Sequence, residues 1–180
     1  MGIDYRIRSI DLLTHKLKIT IWDTAGQDKV KVLPATTIRK AEGILYVFDV
    51  NNQITVSKLK EHIEACKDII SDNYPSIIGN KIDIEERVVT EYEGKMFADK
   101  MEIPYFEMSA LSGEEVSIGF YYIIRKIMVM KHYKINEFDE YVQNSLKEQN
   151  DISKEKKEEI PIKEDNELID ITVSKSTCIC

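Results

Sequence analysis

"GNKID", Gly79–Asp83, follows directly on a short apolar run and offers an amide, an ammonium and a carboxylate within one turn. A carboxylate can accept two parallel hydrogen bonds from the N1–H and exocyclic amine of guanine. Adenine presents the wrong donors and would leave buried polar groups unpaired. Asp83 is suited to be that reader, Asn80 a second polar contact and loop tie, and Lys81 an aliphatic stem against the ring plane. Taken alone, N-K-x-D is better read as an ordinary polar turn after a strand. Two further stretches change the weighing. "WDTAGQ", Trp22–Gln27, is a strand ending in Asp23 followed by a small-residue turn built around Gly26. "EMSA", Glu107–Ala110, ends another strand downstream.

The elements that must position these residues are legible as alternating patterns. Residues 3–12 alternate loosely, and after Leu13–His15 a cleaner alternation sets Leu17, Ile19 and Ile21 against Lys16, Lys18 and Thr20. Two such runs joined by a tight polar turn predict an antiparallel hairpin with one solvated face. "GILYVFDV", Gly43–Val50, is a continuous apolar run, as expected of a parallel strand buried on both faces. "PSIIGNK" and "IPYFEMSA" predict two more short strands. Between them, Val56, Leu59, Ile63, Cys66 and Ile70 step as one helical stripe. Thr90-x-x-Glu93 and Ser112-x-x-Glu115 have capping-box spacing ahead of two further helical patterns. Strands alternating with helices predict an α/β sheet with helices on both faces, and ligands beyond the carboxyl ends of the strands. The loops to read start at Asp23, Asp49, Asn80 and Ser109.

The 180 residues carry 25 basic and 32 acidic side chains, a net charge of −7. Residues 133–180 hold 7 basic against 12 acidic groups, so a near-neutral body (1–132) is expected to carry an acidic, largely disordered tail (133–180), at whose start Ile135, Phe138, Val142 and Leu146 could extend the last helix by a few turns. Neither part offers the positive surface of a nucleic-acid binder. Three cysteines, Cys66, Cys178 and Cys180, make no disulfide framework. No apolar run is long enough to span a bilayer. His15, His62 and His132 lack partners at metal-ligand spacing, and Cys66 reads as a small core residue.

Together, WDTAGQ, GNKID and EMSA, in this order and each at a strand's carboxyl end, resemble the guanine-nucleotide-binding small GTPases over residues 2 to about 132. "GIDYRIRSIDLL", "KLKITIWDTAGQDK" and the terminal Cys-Ile-Cys are similar to the Rab branch. The resemblance implies a P-loop NTPase-like three-layer sandwich, GTP or GDP as ligand and Mg2+ as cofactor. Asp23 would bind magnesium through water, the Gly26 amide would contact the γ-phosphate, and Gln27 would orient the attacking water for slow hydrolysis. Asn80, Lys81 and Asp83 would select guanine, and the Ala110 amide, in a loop shaped by Ser109, would contact the guanine O6. Tyr5, Trp22 and Thr37 occupy the places of the aromatic triad that Rab effectors read. Leu111, Val30, Thr37 and "TTIRKAEG" depart from the pattern and leave partner choice open.

The resemblance also implies a segment of roughly 30–45 residues before Gly2, carrying the first strand, phosphate loop and first helix. The chain itself holds no G-x-x-x-x-G-K-[ST]. In the family's sheet order, 2-3-1-4-5-6, that first strand is central. Without it an open slot is expected between the strand ending at Trp22 and the strand at Ile44–Asp49, and this chain is expected to bind GTP without high affinity. Cys178 and Cys180 would be geranylgeranylated, two lipids giving stable anchoring where one is marginal. "LIDITV", Leu168–Val173, would be the apolar tail segment gripped by escort and GDP-dissociation-inhibitor proteins. Effectors, exchange factors and GTPase-activating proteins complete the implied partners, at the cytoplasmic face of intracellular membranes. The rival expectation is a non-hydrolysing, membrane-tethered interaction module.

Overall fold

The computed structural model describes residues 3–24, 39–68, 73–151 and 167–177. Strands β1 (Ile3–Asp11) and β2 (His15–Thr24) form the expected hairpin, paired antiparallel from Ile3–Thr24 to Asp11–Lys16. Next come β3 (Gly43–Asp49), α1 (Gln53–Cys66), β4 (Tyr74–Asn80), α2 (Glu91–Met101), β5 (Tyr105–Met108) and α3 (Val116–Met130). Two more elements follow, α4 (Asn136–Asp151) and β6 (Glu167–Thr177). The six strands lie in the order β1-β2-β6-β3-β4-β5, and every pair except β1–β2 is parallel.

Side-chain alternation along β3 divides the molecule into layers. Leu45 and Val47 join Leu17, Ile19, Ile78 and Met108 under Ile123, Ile124 and Ile127 of α3 and Phe138 of α4. Ile44, Tyr46 and Phe48 point the other way, packing with Leu59, Ile63 and Cys66 of α1 and Ala98 of α2. Both faces of β3 are therefore covered, which is why its sequence is apolar throughout. Gly43 is small for a local reason. A Cβ there would stand 2.6 Å from Ile123 Cδ1, so the start of β3 could not approach α3.

Local signals explain the starts of α1 and α2. Asn52 caps α1 by accepting the Ile54 amide at 3.0 Å. Thr90 and Glu93 form the predicted capping box, Glu93 N–H donating to Thr90 Oγ1 at 3.2 Å and Thr90 N–H to Glu93 Oε2 at 2.8 Å. The second predicted box does not form. α3 starts at Val116, behind Glu115 in a left-handed conformation (φ 56°), and Ser112 Oγ instead accepts the Glu114 amide at 3.3 Å. The tight Ser109–Gly113 turn takes up the residues that a box would need.

The stretch after Tyr133 carries two described elements. Residues 136–151 are helical, and Phe138 is completely buried in the core beneath the sheet, so the folded body continues past Tyr133. Residues 167–177, expected to be disordered apart from an apolar island, form β6. The slot between β2 and β3 is filled by that strand rather than left open. Backbone pairing on two sides can order a segment whose composition alone gives no such signal. Among the described residues no helix is long and apolar enough to cross a membrane.

Candidate functional site

The parallel arrangement brings the carboxyl ends of β2, β3, β4 and β5 to one edge of the sheet. Asp23, Asp49, Asn80 and Met108 stand at or beside those ends, and the loops beyond them make the candidate site.

Beyond β3, the turn is fixed by a fully buried threonine. The Asp49 amide donates to Thr55 Oγ1 at 3.1 Å, and that hydroxyl donates to the Asn52 carbonyl at 2.6 Å. The Asn51 amide donates to Asp49 Oδ1 at 2.9 Å. The other carboxylate oxygen, Asp49 Oδ2, takes the Lys81 ammonium at 2.5 Å. Lys81 sits at φ 71°, a left-handed backbone that only a few per cent of non-glycine residues adopt. That turn lets the chain leave β4 and send the lysine stem across the mouth towards β3.

The loops after β4 and β5 are joined by two ties. Asn80 Oδ1 accepts the Ala110 amide at 3.0 Å. Ser109 is completely buried; its hydroxyl donates to Asp83 Oδ1 in a short bond and accepts the Ser112 amide at 3.0 Å. The Ser109 amide donates to the Glu114 carbonyl and the Gly113 amide to the Ser109 carbonyl, closing the turn. Asp83 and Ala110 remain exposed at the surface of this corner. Asn80 with Ala110 and Asp83 with Ser109 thus join the two loops, while Lys81 is paired with Asp49 beside them.

A second polar group underlies it, and sequence reading missed it. Arg87 forms a bidentate pair with Glu107, at 2.9 Å (Nη1–Oε2) and 2.5 Å (Nη2–Oε1), and donates through Nε to the Val89 carbonyl at 3.1 Å. Tyr105 donates its hydroxyl to Glu107 Oε1 at 2.7 Å. Burial alone would push the Glu107 carboxyl up. The hydrogen bonds from Arg87 and Tyr105, with the charges of Arg87 and Lys95, outweigh it and hold the group below the usual carboxylate range. The signal was present: an acidic residue inside the four-residue strand "YFEM" must find a cation or disrupt the sheet.

Asp23 is exposed at the end of β2, across β6 from β3. Gly26, Gln27, Val30 and Thr37 lie outside the described residues, as do Cys178 and Cys180. Tyr5 and Trp22 are cross-strand partners on the hairpin, their ring centroids 5.6 Å apart, and Tyr5 is 56% exposed. Among the described residues, no group of three or more His, Cys, Asp or Glu side chains gathers in metal-binding fashion.

The ordered loops and sheet now have a counterpart among known proteins: residues 1–129 match the model of the Ras family. The chain belongs to the Ras family. Within it the chain is Rab-like. It is 33% identical over 128 residues to Ras-related protein SEC4 of Saccharomyces cerevisiae, a match covering 71% of this chain and 60% of that relative. It is 33% identical over 146 residues to GTP-binding protein ypt2 of Schizosaccharomyces pombe (80% and 73%). It is 34% identical over 139 residues to Ras-related protein Rab-8B of Homo sapiens (76% and 67%). The chain thus spans less than two thirds of SEC4's length.

Proposed function

We propose that this chain is the guanine-nucleotide-binding unit of a Rab-like switch, with its base specificity in the loops of Asn80–Asp83 and Ser109–Ala110. The observation that carries the reading is the bond from the buried Ser109 hydroxyl to Asp83 Oδ1. An ionised carboxylate has about four acceptor positions. Ser109 uses one and fixes the rotamer, leaving both oxygens able to accept from the N1–H and amine of guanine. The Asn80–Ala110 bond holds the second loop at the same corner, where the Ala110 region would meet the guanine O6. Lys81, its ammonium held by Asp49, would lay its methylenes along the base.

The ligands in this reading are GTP and GDP. Gly26 would contact the terminal phosphate and Gln27 would orient the attacking water. Asp23 would hold Mg2+ through water, and the ion when bound supplies positive charge to the phosphate oxygens. The chain's switch would act in vesicle trafficking at the cytoplasmic face of intracellular membranes, anchored through lipidated Cys178 and Cys180. Its partners would be Rab effectors docking at Tyr5 and Trp22, exchange factors, GTPase-activating proteins, escort protein and GDP-dissociation inhibitor. The exposed Tyr5 beside Trp22 favours a second reading, a non-hydrolysing interaction module that keeps this hairpin surface.

Competition with a fluorescent guanine nucleotide on the purified chain tests the base assignment. Displacement by GDP and GTP but not by ADP and ATP is expected, with micromolar or weaker affinity, because no G-x-x-x-x-G-K-[ST] in these 180 residues supplies phosphate contacts. Equal displacement by adenine nucleotides would sink the reading. Phosphate release that disappears in Gln27→Leu separates the hydrolase from the module.

A further inference from the structure

β2 and β3 are not hydrogen-bonded to each other; β6 lies between them and pairs with both. Its register with β2 runs from His15–Glu167 to Thr24–Ser176, and with β3 from Gly43–Val173 to Val47–Thr177. The two flanking strands nevertheless share one core. Leu17 and Ile19 of β2 and Leu45 and Val47 of β3 pack in the same cluster, roofed by α3 and α4. Neighbouring strands stand about 4.8 Å apart, so a sheet missing one strand here would hold a gap of roughly 10 Å between two rows of unpaired N–H and C=O groups. The hairpin cannot slide across to close that gap without dragging its core residues from beneath α3 and α4. One extended segment, parallel to both neighbours, satisfies both rows at once.

We propose that the space between β2 and β3 is a strand-acceptor site, and that Glu167–Thr177 is its intramolecular occupant, tethered through residues 152–166. Recognition is chiefly by main-chain hydrogen bonds on two edges, with direction set by the parallel register. Covalent attachment within one chain raises the occupant's effective concentration above that of a second copy. The chain's own strand therefore outcompetes that of a second copy at ordinary protein concentrations. The seated strand also reaches the candidate site: Lys175 is the register partner of Asp23 on one side and of Leu45 on the other.

A protease site inserted within 152–166 of the full chain, cleaved after folding, tests the assignment. The fragment carrying Glu167–Thr177 is expected to co-elute with the body in size-exclusion chromatography. A labelled Glu167–Thr177 peptide in excess should exchange into the complex, and the reversed-order peptide should not. A fragment that elutes separately while the body keeps its melting temperature would overturn the proposal. If fragment and body are lost together, the uncleaved chain decides. Lys175→Pro removes a central-strand amide and should lower Tm by about 10 °C, whereas Ile162→Pro in the tether should leave it unchanged. A Lys175→Pro chain melting with the parent refutes the strand, and a dimer by light scattering at micromolar concentration refutes the intramolecular occupant.

Discussion

Asn80 and Ala110, thirty residues apart in the chain, are joined by a 3.0 Å bond from the Ala110 amide to the Asn80 side-chain oxygen. This bond ties the loop after β4 to the loop after β5, and it sits at an exposed corner where water can replace either partner. Asn80→Ala should therefore cost little stability, about 1 kcal/mol or less. Its effect on guanine affinity should be larger, roughly tenfold or more, because the two loops lose their common register. Thermal melts beside nucleotide competition would separate the effects. An equal fall in both would show that the tie serves the fold alone.

Asp83→Asn should change which base is bound rather than simply weaken binding. The amide oxygen could still accept the Ser109 hydroxyl that now holds Asp83. Its NH2 would face the guanine amine donor to donor, while xanthine, with a carbonyl at that position, would find a partner. Guanine affinity should fall on the order of 10³-fold, as for sites that lose a required hydrogen-bond partner, and xanthosine diphosphate should become the better competitor. Unchanged guanine preference would remove Asp83 from the base site.

How legible these features were depends on how local their causes are. The Thr90–Glu93 box and the apolar run of β3 follow from residues within a few positions of one another, and the structure has them where sequence places them. The Ser112–Glu115 spacing misled because the same serine serves the turn that Ser109 closes. β6 was illegible for a different reason. "LIDITV" is long enough for a strand, but its position depends on two partners more than a hundred residues upstream, and pattern reading carries no such information. At the site, Asn80, Asp83 and Ser109 were found by residue type, whereas Arg87 was not, because an arginine in a polar loop reads as solvated until Glu107 is placed beside it.

Phe138 gives a direct measure of how far the folded body extends. It is completely buried, edge-on to Tyr121, and its helix is stapled to the β1–β2 turn by Thr14, whose amide donates to Glu137 Oε2 at 2.9 Å and whose hydroxyl donates to Oε1 at 2.6 Å. Phe138→Ala should cost about 3–5 kcal/mol in chemical denaturation, the usual range for emptying a buried aromatic site. Lys147→Ala, towards the exposed end of the same helix, should change stability by less than about 0.5 kcal/mol. Equal, small effects at both positions would return α4 to the tail.

Arg87 and Glu107 should write a recognisable pH dependence into stability. The Glu107 carboxyl is held below its ordinary value in the folded state, burial being outweighed by the Arg87 and Tyr105 bonds. A depressed carboxylate stabilises the fold above its unfolded pKa, and that contribution drains away as pH falls through the folded value. Arg87→Met keeps bulk but removes the charge, both donors to Glu107 and the Nε bond to the Val89 carbonyl, so burial then dominates at Glu107 and its folded pKa rises. At pH 7 the variant leaves a largely buried carboxylate with only Tyr105 as a side-chain donor, and a loss of about 1–3 kcal/mol is expected. As pH falls through the folded value towards 3, the parent loses the stabilisation that Arg87 gives the ionised carboxylate, and the difference between the two proteins should shrink. Urea melts of the two chains at both pH values make the comparison, with the other carboxylates common to both and largely cancelling. A gap that stays constant from pH 7 to pH 3 would mean that Arg87 matters here for its packing and not for its charge.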